Sequence, residues 1–478
     1  MENTSSASAA TEYRRSSVVL HWLRTIGPAL IVASVVLGPG SILISSKVGC
    51  QYGYSMLWVL AAAAILMIGM TALAARVGVA TEKTLCGELA ARIGRPFAAL
   101  VGVLLFLVIA AFQSSNNMAV VTSIESLLSA KGSVERGDAE TATAAEETAK
   151  DTNGENQVMT EEVSRPLLIT LLVLFNALII IMMFGLKALY KPLERLMKCM
   201  LLVMVVAFGI NLLFAKPSLV GVVSGLLPQV SSDVASGFWP VRNAAGKIID
   251  PLWAIQGMIA TTFSVAGAFY QGYLVREKGW TASHVRQGLI DSIVGIAVLG
   301  GCSAMIMTTA AATLHGNIAP DQLQSAADVA MQLQPLFGNA ATALFGFGIF
   351  AACFSPFLIN AMIGGLLLSD GLNMGGTIDS QWARRLTVAA LLFGMIVGIY
   401  ATARGESPVG VIVFAQALTV LGVPLLALSL LFLATRPDVR QRVPFPTWLV
   451  ALASIGLLVT IVLAVRTAWR ICLMFGGP

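Results

Sequence analysis

Two apolar runs in this chain are interrupted by small and hydroxyl-bearing residues, and chemistry is expected at those interruptions. The first reads IVASVVLGPGSILISSKVG, with Gly38-Pro39-Gly40-Ser41 near its middle. Proline lacks a backbone N–H and glycine loosens a helix, so carbonyl oxygens are released there and become ligands. The second reads GMIATTFSVAGAFYQGYLV, where Thr261, Thr262 and Ser264 precede Ala266-Gly267-Ala268. Other neutral polar residues in apolar surroundings are Ser45, Gln113, Ser114, Ser115, Asn116, Asn117, Tyr270, Gln271 and Gln416. Such oxygen and amide groups suit a hard cation or a small polar organic solute. Each of them alone also serves ordinary interhelical hydrogen bonding. His21, His284 and His315 lie near expected helix ends, and the 6 cysteines form no CxxC or Cys/His cluster, so no zinc site or disulfide framework is expected. Without a triad, P-loop, cofactor motif or paired intramembrane carboxylates, the chain reads as no enzyme and as needing no cofactor.

The elements that must position these groups follow from composition. Of 478 residues, 57% are hydrophobic and 12% are charged, against about 25% charged in a soluble chain. Apolar runs long enough to cross a bilayer recur from end to end. About eleven spans are expected, at 27–48, 55–75, 97–128, 166–186, 196–215, 252–275, 287–313, 338–369, 386–403, 409–434 and 446–471. The chain is therefore an all-α, multi-pass membrane protein of a plasma or inner membrane. Residues 1–26 read as a polar cytoplasmic segment without the order of a signal peptide, and 27–478 as the membrane domain. The net charge of +5 sits in short loops and gives no reason to expect nucleic acid as a partner.

Lys and Arg follow the even-numbered spans: Arg76, Lys83, Arg92 and Arg95, then Lys187 to Lys198, Arg276 to Arg286, Arg384 and Arg385, and Arg436 to Arg442. The N-terminus is thus expected inside and, with an odd number of spans, the C-terminus outside. Arg276, Glu277 and Lys278 read as part of this orientation signal and as a gate ion pair. Lys47 is expected to reach the outer interface along its own stem. Residues 131–164, rich in Glu, Asp, Ala, Thr and Gly, are expected to form a disordered acidic external loop. Broken helices in first and sixth place are the mark of inverted-repeat transporters that bind substrate at the midplane.

Several stretches then resemble one family. GPGSILISSKVGCQYGYSMLWVL, LAARVGVAT, LERLMKCMLLVMVVAFGINL, FGIFAACFSPFLINAMIGGLLLSDGL and AQALTVLGVPLLALSLLFLATR are similar, in order, to helices one, two, five, eight and ten of the Nramp divalent-metal transporters. The resemblance implies a LeuT-type fold with two inverted five-helix repeats, about 27–215 and 252–434, plus a further helix at 446–471. It implies alternating access.

The residues that carry the family's chemistry differ here. The family's first break reads Asp-Pro-Gly-Asn with Asp and Asn as metal ligands; Gly38 and Ser41 stand at those positions. Its sixth helix carries Met-Pro-His, which falls on Ser264, Val265 and Ala266, or in a shifted register puts Met on Ala266. The third helix, where the family places acids for proton movement, has neutral Gln113 and Asn116, while the tenth-helix Gln persists as Gln416 and the seventh-helix acid as Asp291. The expected site is Gly38, Gly40, Ser41, Thr262, Ser264, Ala266, Gln271 and Gln416, lined by Gln113 and Asn116. Expected metal ligands are Ser41, Ser264 and Gln416 with the backbone carbonyls of Gly38 and Phe263. A divalent cation that keeps its water, such as Mg²⁺, fits this set better than Mn²⁺ or Fe²⁺, without proton coupling. The alternatives are a carrier of a small polar organic solute and a receptor that transports nothing.

Overall fold

The computed structural model describes residues 27–143, 164–185, 199, 202, 205, 206, 208–229, 237–323, 329, 341–377 and 380–475. In chain order the helices are α1 (Pro28–Val36), α2 (Pro39–Tyr52), α3 (Leu57–Ala80), α4 (Leu85–Arg92), α5 (Arg95–Thr143) and α6 (Arg165–Gly185). They continue with α7 (Phe208–Ala215), α8 (Leu219–Gly225), α9 (Trp253–Thr262), α10 (Val265–Glu277), α11 (Val285–Thr313), α12 (Ala341–Gly371) and α13 (Gln381–Arg404). The last are α14 (Pro408–Leu418), α15 (Val423–Ala434), α16 (Pro437–Arg442) and α17 (Thr447–Phe475). A small antiparallel ribbon, β1 (Val241–Arg242) with β2 (Ile248–Ile249), pairs Val241 with Ile249.

Among the described residues seven helices are long and apolar enough to cross a membrane, or nine if each of two bent pairs is one span. The bent pairs are α1 with α2, at 59°, and α7 with α8, at 117°. Helix is the form these runs take because in hydrocarbon each backbone group must bond within its own segment. Starts are marked chemically. The side chains of Thr84, Ser218, Ser264, Ser380 and Ser407 each accept from the N–H three residues on, and proline opens α1, α2, α14, α15 and α16.

One expectation is refined and one changes. The span at 409–434 is a single crossing, Pro408–Ala434, within which a 3₁₀ turn, Thr419–Leu421, separates α14 from α15. Gly422 and Pro424 explain it, since Pro424 has no N–H for the carbonyl of Val420. The third helix continues as far as Thr143, into the segment expected to be a disordered loop, and 144–163 lies outside the described residues. So do residues 1–26 with His21, and most of 196–207.

Charge is gathered at the two ends of the bundle. At the end where the basic loops meet, Arg276 donates to the carbonyls of Thr81 (2.5 Å) and Glu82 (2.6 Å). The expected gate ion pair thus takes a different form for Arg276, because its partners are backbone oxygens. Arg92 bridges Glu88 (3.0 Å) and Asp438 (2.5 Å). Hydrogen bonds from Arg92 hold the Asp438 carboxyl down at about 2, so it stays ionised at any ordinary pH. At the opposite end Arg466 of α17 reaches Asp250 (2.6 Å), the Gln256 side-chain oxygen (2.8 Å) and the Phe238 carbonyl (2.7 Å). Arg470 takes the second Asp250 oxygen at 3.0 Å and lies 4.0 Å over the Trp253 ring. The Gln256 amide in turn donates to Thr467. This cluster fastens the start of α9 to the end of α17.

The Asp250 and Arg466 side chains are only 2% and 1% exposed. Removing one partner of such a pair strands a buried charge, at a cost of about 3–5 kcal/mol. Asp250→Ala is therefore expected to lower the melting temperature in detergent clearly, and Asp250→Asn to lower it less. An unchanged melting temperature for Asp250→Ala would show that the cluster is not structural.

Candidate functional site at the helix breaks

The first break lies at Leu37–Gly38. Gly38 is extended (φ −98°, ψ −176°) and caps α2, while Leu37 (φ −76°, ψ 63°) ends α1. The Gly38 N–H bonds the Val36 carbonyl at 2.8 Å, and not the carbonyl of Ser34 as a continuous helix would have it. Pro39 has no N–H for Val35, so the carbonyls of Ser34 and Val35 both lose their helical partners. The Ser41 hydroxyl donates to the Val36 carbonyl at 2.6 Å, across the break. That bond fixes the bend and leaves the lone pairs of Ser41 Oγ available.

The second break falls at Phe263–Ser264, just ahead of the Ala266-Gly267-Ala268 stretch. Phe263 (φ −94°, ψ 66°) ends α9, and Ser264 caps α10 by accepting from the Gly267 N–H at 3.3 Å. Thr261 donates to the Met258 carbonyl at 3.0 Å. Thr262, Ser264 and Ala266 are all buried around this turn. The ring of Phe263 packs on α17 at Gly456, which has room for it only because it carries no Cβ.

The breaks lie side by side. A Cβ on Gly267 would stand 3.1 Å from Val32 and 3.4 Å from Val36, so α10 packs against α1. One on Gly257 would stand 3.3 Å from Ile44, so α9 packs against α2. The break in the tenth span joins them: Gln416, near the end of α14, lies against Gly40, where a Cβ would fall 3.1 Å from Gln416 Cδ and 3.2 Å from Ser115 Oγ. Gln416 Nε2 donates to Ser115 Oγ at 3.0 Å, and Thr419 donates to the Gln416 backbone carbonyl at 2.6 Å. The side-chain oxygen of Gln416 is buried and has no hydrogen-bond partner. An unpaired buried acceptor costs about 1–3 kcal/mol, so this oxygen, like the side-chain oxygen of Gln271, has capacity left for a ligand.

The remaining expected residues divide. Gln113 donates to the Phe357 carbonyl (2.5 Å) and so braces α5 against α12, while Asn116 donates to the Gln113 side-chain oxygen (2.8 Å) within α5. Asn117 and Asn176 extend the same neutral network, at 2.8 Å, to α6. Gln271 lies further along α10 and donates to Asp291 at 3.3 Å. Asp291, whose role is not legible in the sequence beyond its resemblance to a family acid, accepts from the N–H groups of Gly27 and Ala29, both at 2.8 Å. An acid on α11 thereby caps the N-terminus of α1 across the bundle, where the helix dipole favours negative charge. Tyr273 performs a similar service, donating to Asp370 at 2.7 Å while accepting from the Cys86 N–H at 3.2 Å. Among the described residues no group of three or more His, Cys, Asp or Glu is placed to hold a metal ion. A cavity of about 520 Å³ between α5, α13 and the two halves of the tenth span is lined by Leu107, Val108, Phe393, Phe414 and other apolar side chains. Ser114 and Ala415, each next in sequence to a residue of the site, also line it.

Residues 29–135 and 158–470 match the family described as natural resistance-associated macrophage protein-like, Nramp. The chain belongs to the Nramp family. Among its relatives, one named divalent metal cation transporter MntH from Deinococcus radiodurans is 23% identical over 448 residues, covering 90% of this chain and 88% of the relative. A MntH from Yersinia pestis is 22% identical over 415 residues, covering 86% of each chain. A solved manganese transporter from Eremococcus coleocola, in complex with an aromatic bis-isothiourea substituted compound, superposes with a TM-score of 0.72 at 16% identity, covering 97% of this chain and 90% of that one. The Nramp chain described here is accordingly an integral, multi-pass membrane protein of LeuT-type fold, and not an enzyme.

The cap on α1 can be tested directly. Asp291→Ala removes an N-cap with an expected cost of about 0.5–2 kcal/mol. Hydrogen–deuterium exchange over residues 27–33 should accelerate, while exchange in α17 stays as it was. Unchanged exchange in α1 would show that Asp291 does not hold it.

Proposed function

We propose that this protein is a secondary transporter that carries a divalent metal cation across the membrane by alternating access. The observation that supports it most is the buried, unpartnered oxygen of Gln416 beside Gly40, where two broken helices and a third break come together. The names of the curated relatives and of the solved relative support a divalent cation as cargo. The ion would be held by the carbonyls of Gly38 and Phe263 with Ser41, Ser264 and Gln416. Gly40, Thr262 and Ala266 complete its walls; Gln113, Asn116 and Gln271 support it from behind.

This donor set is neutral. A dication stripped of water against carbonyls, hydroxyls and one amide alone is poorly compensated, so an ion that retains water is favoured. Mg²⁺ is the preferred cargo on this ground, ahead of Mn²⁺ and Fe²⁺, which gain from sulfur and anionic ligands. The neutral Gln113–Asn116 network gives protons no acid to ride on, so transport is not proton-coupled. The basic loops orient the protein with its N-terminus in the cytoplasm and its C-terminus outside. The repeats run over about 27–215 and 252–434, with 446–471 as the extra helix.

Uptake into proteoliposomes tests this reading. Mg²⁺ is expected to enter faster than Mn²⁺, at a rate that an imposed pH gradient does not change. Gln416→Ala is expected to reduce uptake about tenfold, equivalent to about 1.4 kcal/mol for one lost ligand. If neither ion moves while an amino acid or organic acid stabilises the protein, the cargo is an organic solute. Ion binding with no flux would make it a receptor.

A further inference from the structure

The first break carries an unusual contact. A Cβ built on Gly38 would lie 3.0 Å from Cγ and 3.4 Å from Cβ of Pro356. Pro356 sits inside α12, where it supplies no N–H and leaves the carbonyl of Ala352 without its helical partner. Its ring cannot easily withdraw. The next residue, Phe357, is fully buried, its carbonyl is held by Gln113 at 2.5 Å, and its ring packs edge-on against Phe175 at 5.0 Å. Thus α5 and α6 press this turn of α12 toward the break.

We propose that Pro356 is a specificity-determining residue: its ring fills the volume that a side chain at residue 38 requires and so keeps an anionic group out of the break. The proposal rests on the reading of the breaks as a cation site. It adds that the absence of charge there is enforced from α12, and does not depend on residue 38 alone. Ligand charge tunes how tightly a site holds a dication. A break that disfavours a side chain at residue 38 retains only neutral oxygens from this segment, a set better suited to an ion that remains partly hydrated. A single substitution at residue 38 therefore meets the Pro356 ring, which must give way by a few tenths of an ångström, and converts the site less well than one made together with space on α12.

A thermal cycle and a binding series on the purified full-length protein test this together. Gly38→Ala should lower the melting temperature in the wild-type background by several degrees, and Pro356→Ala should remove most of that loss. Equal losses in both backgrounds would overturn the contact. In calorimetry, Gly38→Asp with Pro356→Ala should bind Mn²⁺ at least about tenfold more tightly than either single variant, as an added anionic ligand would. Gly38→Asp matching the double variant would overturn the proposal, as would a folded double variant with no gain. Wild-type protein that neither binds nor moves a divalent ion would instead defeat the reading of function, while the thermal cycle would still decide the contact.

Discussion

In hydrocarbon there is no water to receive a hydrogen bond, so a helix that is interrupted must have its released groups answered by protein or by cargo. The rest of this structure is arranged around that constraint. The site draws on three interrupted spans, at Leu37–Gly38, Phe263–Ser264 and Thr419–Leu421, and each carries its own local answer. Ser41 reaches back to Val36, Ser264 takes the Gly267 N–H, and Thr419 takes the carbonyl of Gln416. Between the breaks two carbonyls of α1 are left without their helical partners, and the side-chain oxygen of Gln416 without any partner. A neutral donor set of this kind is what a polar cargo would complete.

The charged groups are kept apart from this centre. Asp250 with Arg466 and Arg470 closes one end of the bundle, and Arg92 with Asp438 belongs to the other. Asp291 and Asp370 both accept from side chains of α10, and both oxygens of Asp291 are engaged: Oδ1 by the Gly27 N–H, Oδ2 by the Ala29 N–H and the Gln271 amide. Its negative charge is matched to the dipole of α1. The start of α1 is thus held by Asp291 and the start of α9 by the Asp250 cluster, while α1 meets α10 and α2 meets α9 through small, uncharged contacts.

Much of this was legible in the residues, and the boundary of legibility is physical. Gly38-Pro39-Gly40-Ser41 announces a break because proline and glycine act locally, within a turn of where they stand. The second break has no proline, and its position was fixed only by the capping geometry of Ser264; the Ser-Val-Ala-Gly order carried that signal weakly. Gly422-Val423-Pro424 carried a local signal for the third break, yet the apolar run around it reads as one span. The contacts that give the site its character are long-range. Pro356 against Gly38, Gln416 against Gly40 and Asp250 against Arg466 join residues far apart in sequence, and nothing in the local pattern of either partner points to the other. The family resemblance supplied the fold and the neighbourhood, and the same comparison showed which charges are missing.

The central claim is that the two breaks and Gln416 form a cation site built from neutral groups alone. Its most direct test is calorimetric titration of the purified protein with Mg²⁺ at one pH, in two buffers of different ionisation enthalpy. Binding is expected with the same apparent enthalpy in both buffers, because no group gives up a proton when the ion arrives. A buffer-dependent enthalpy, showing a proton released for each ion bound, would contradict it, as would the absence of binding.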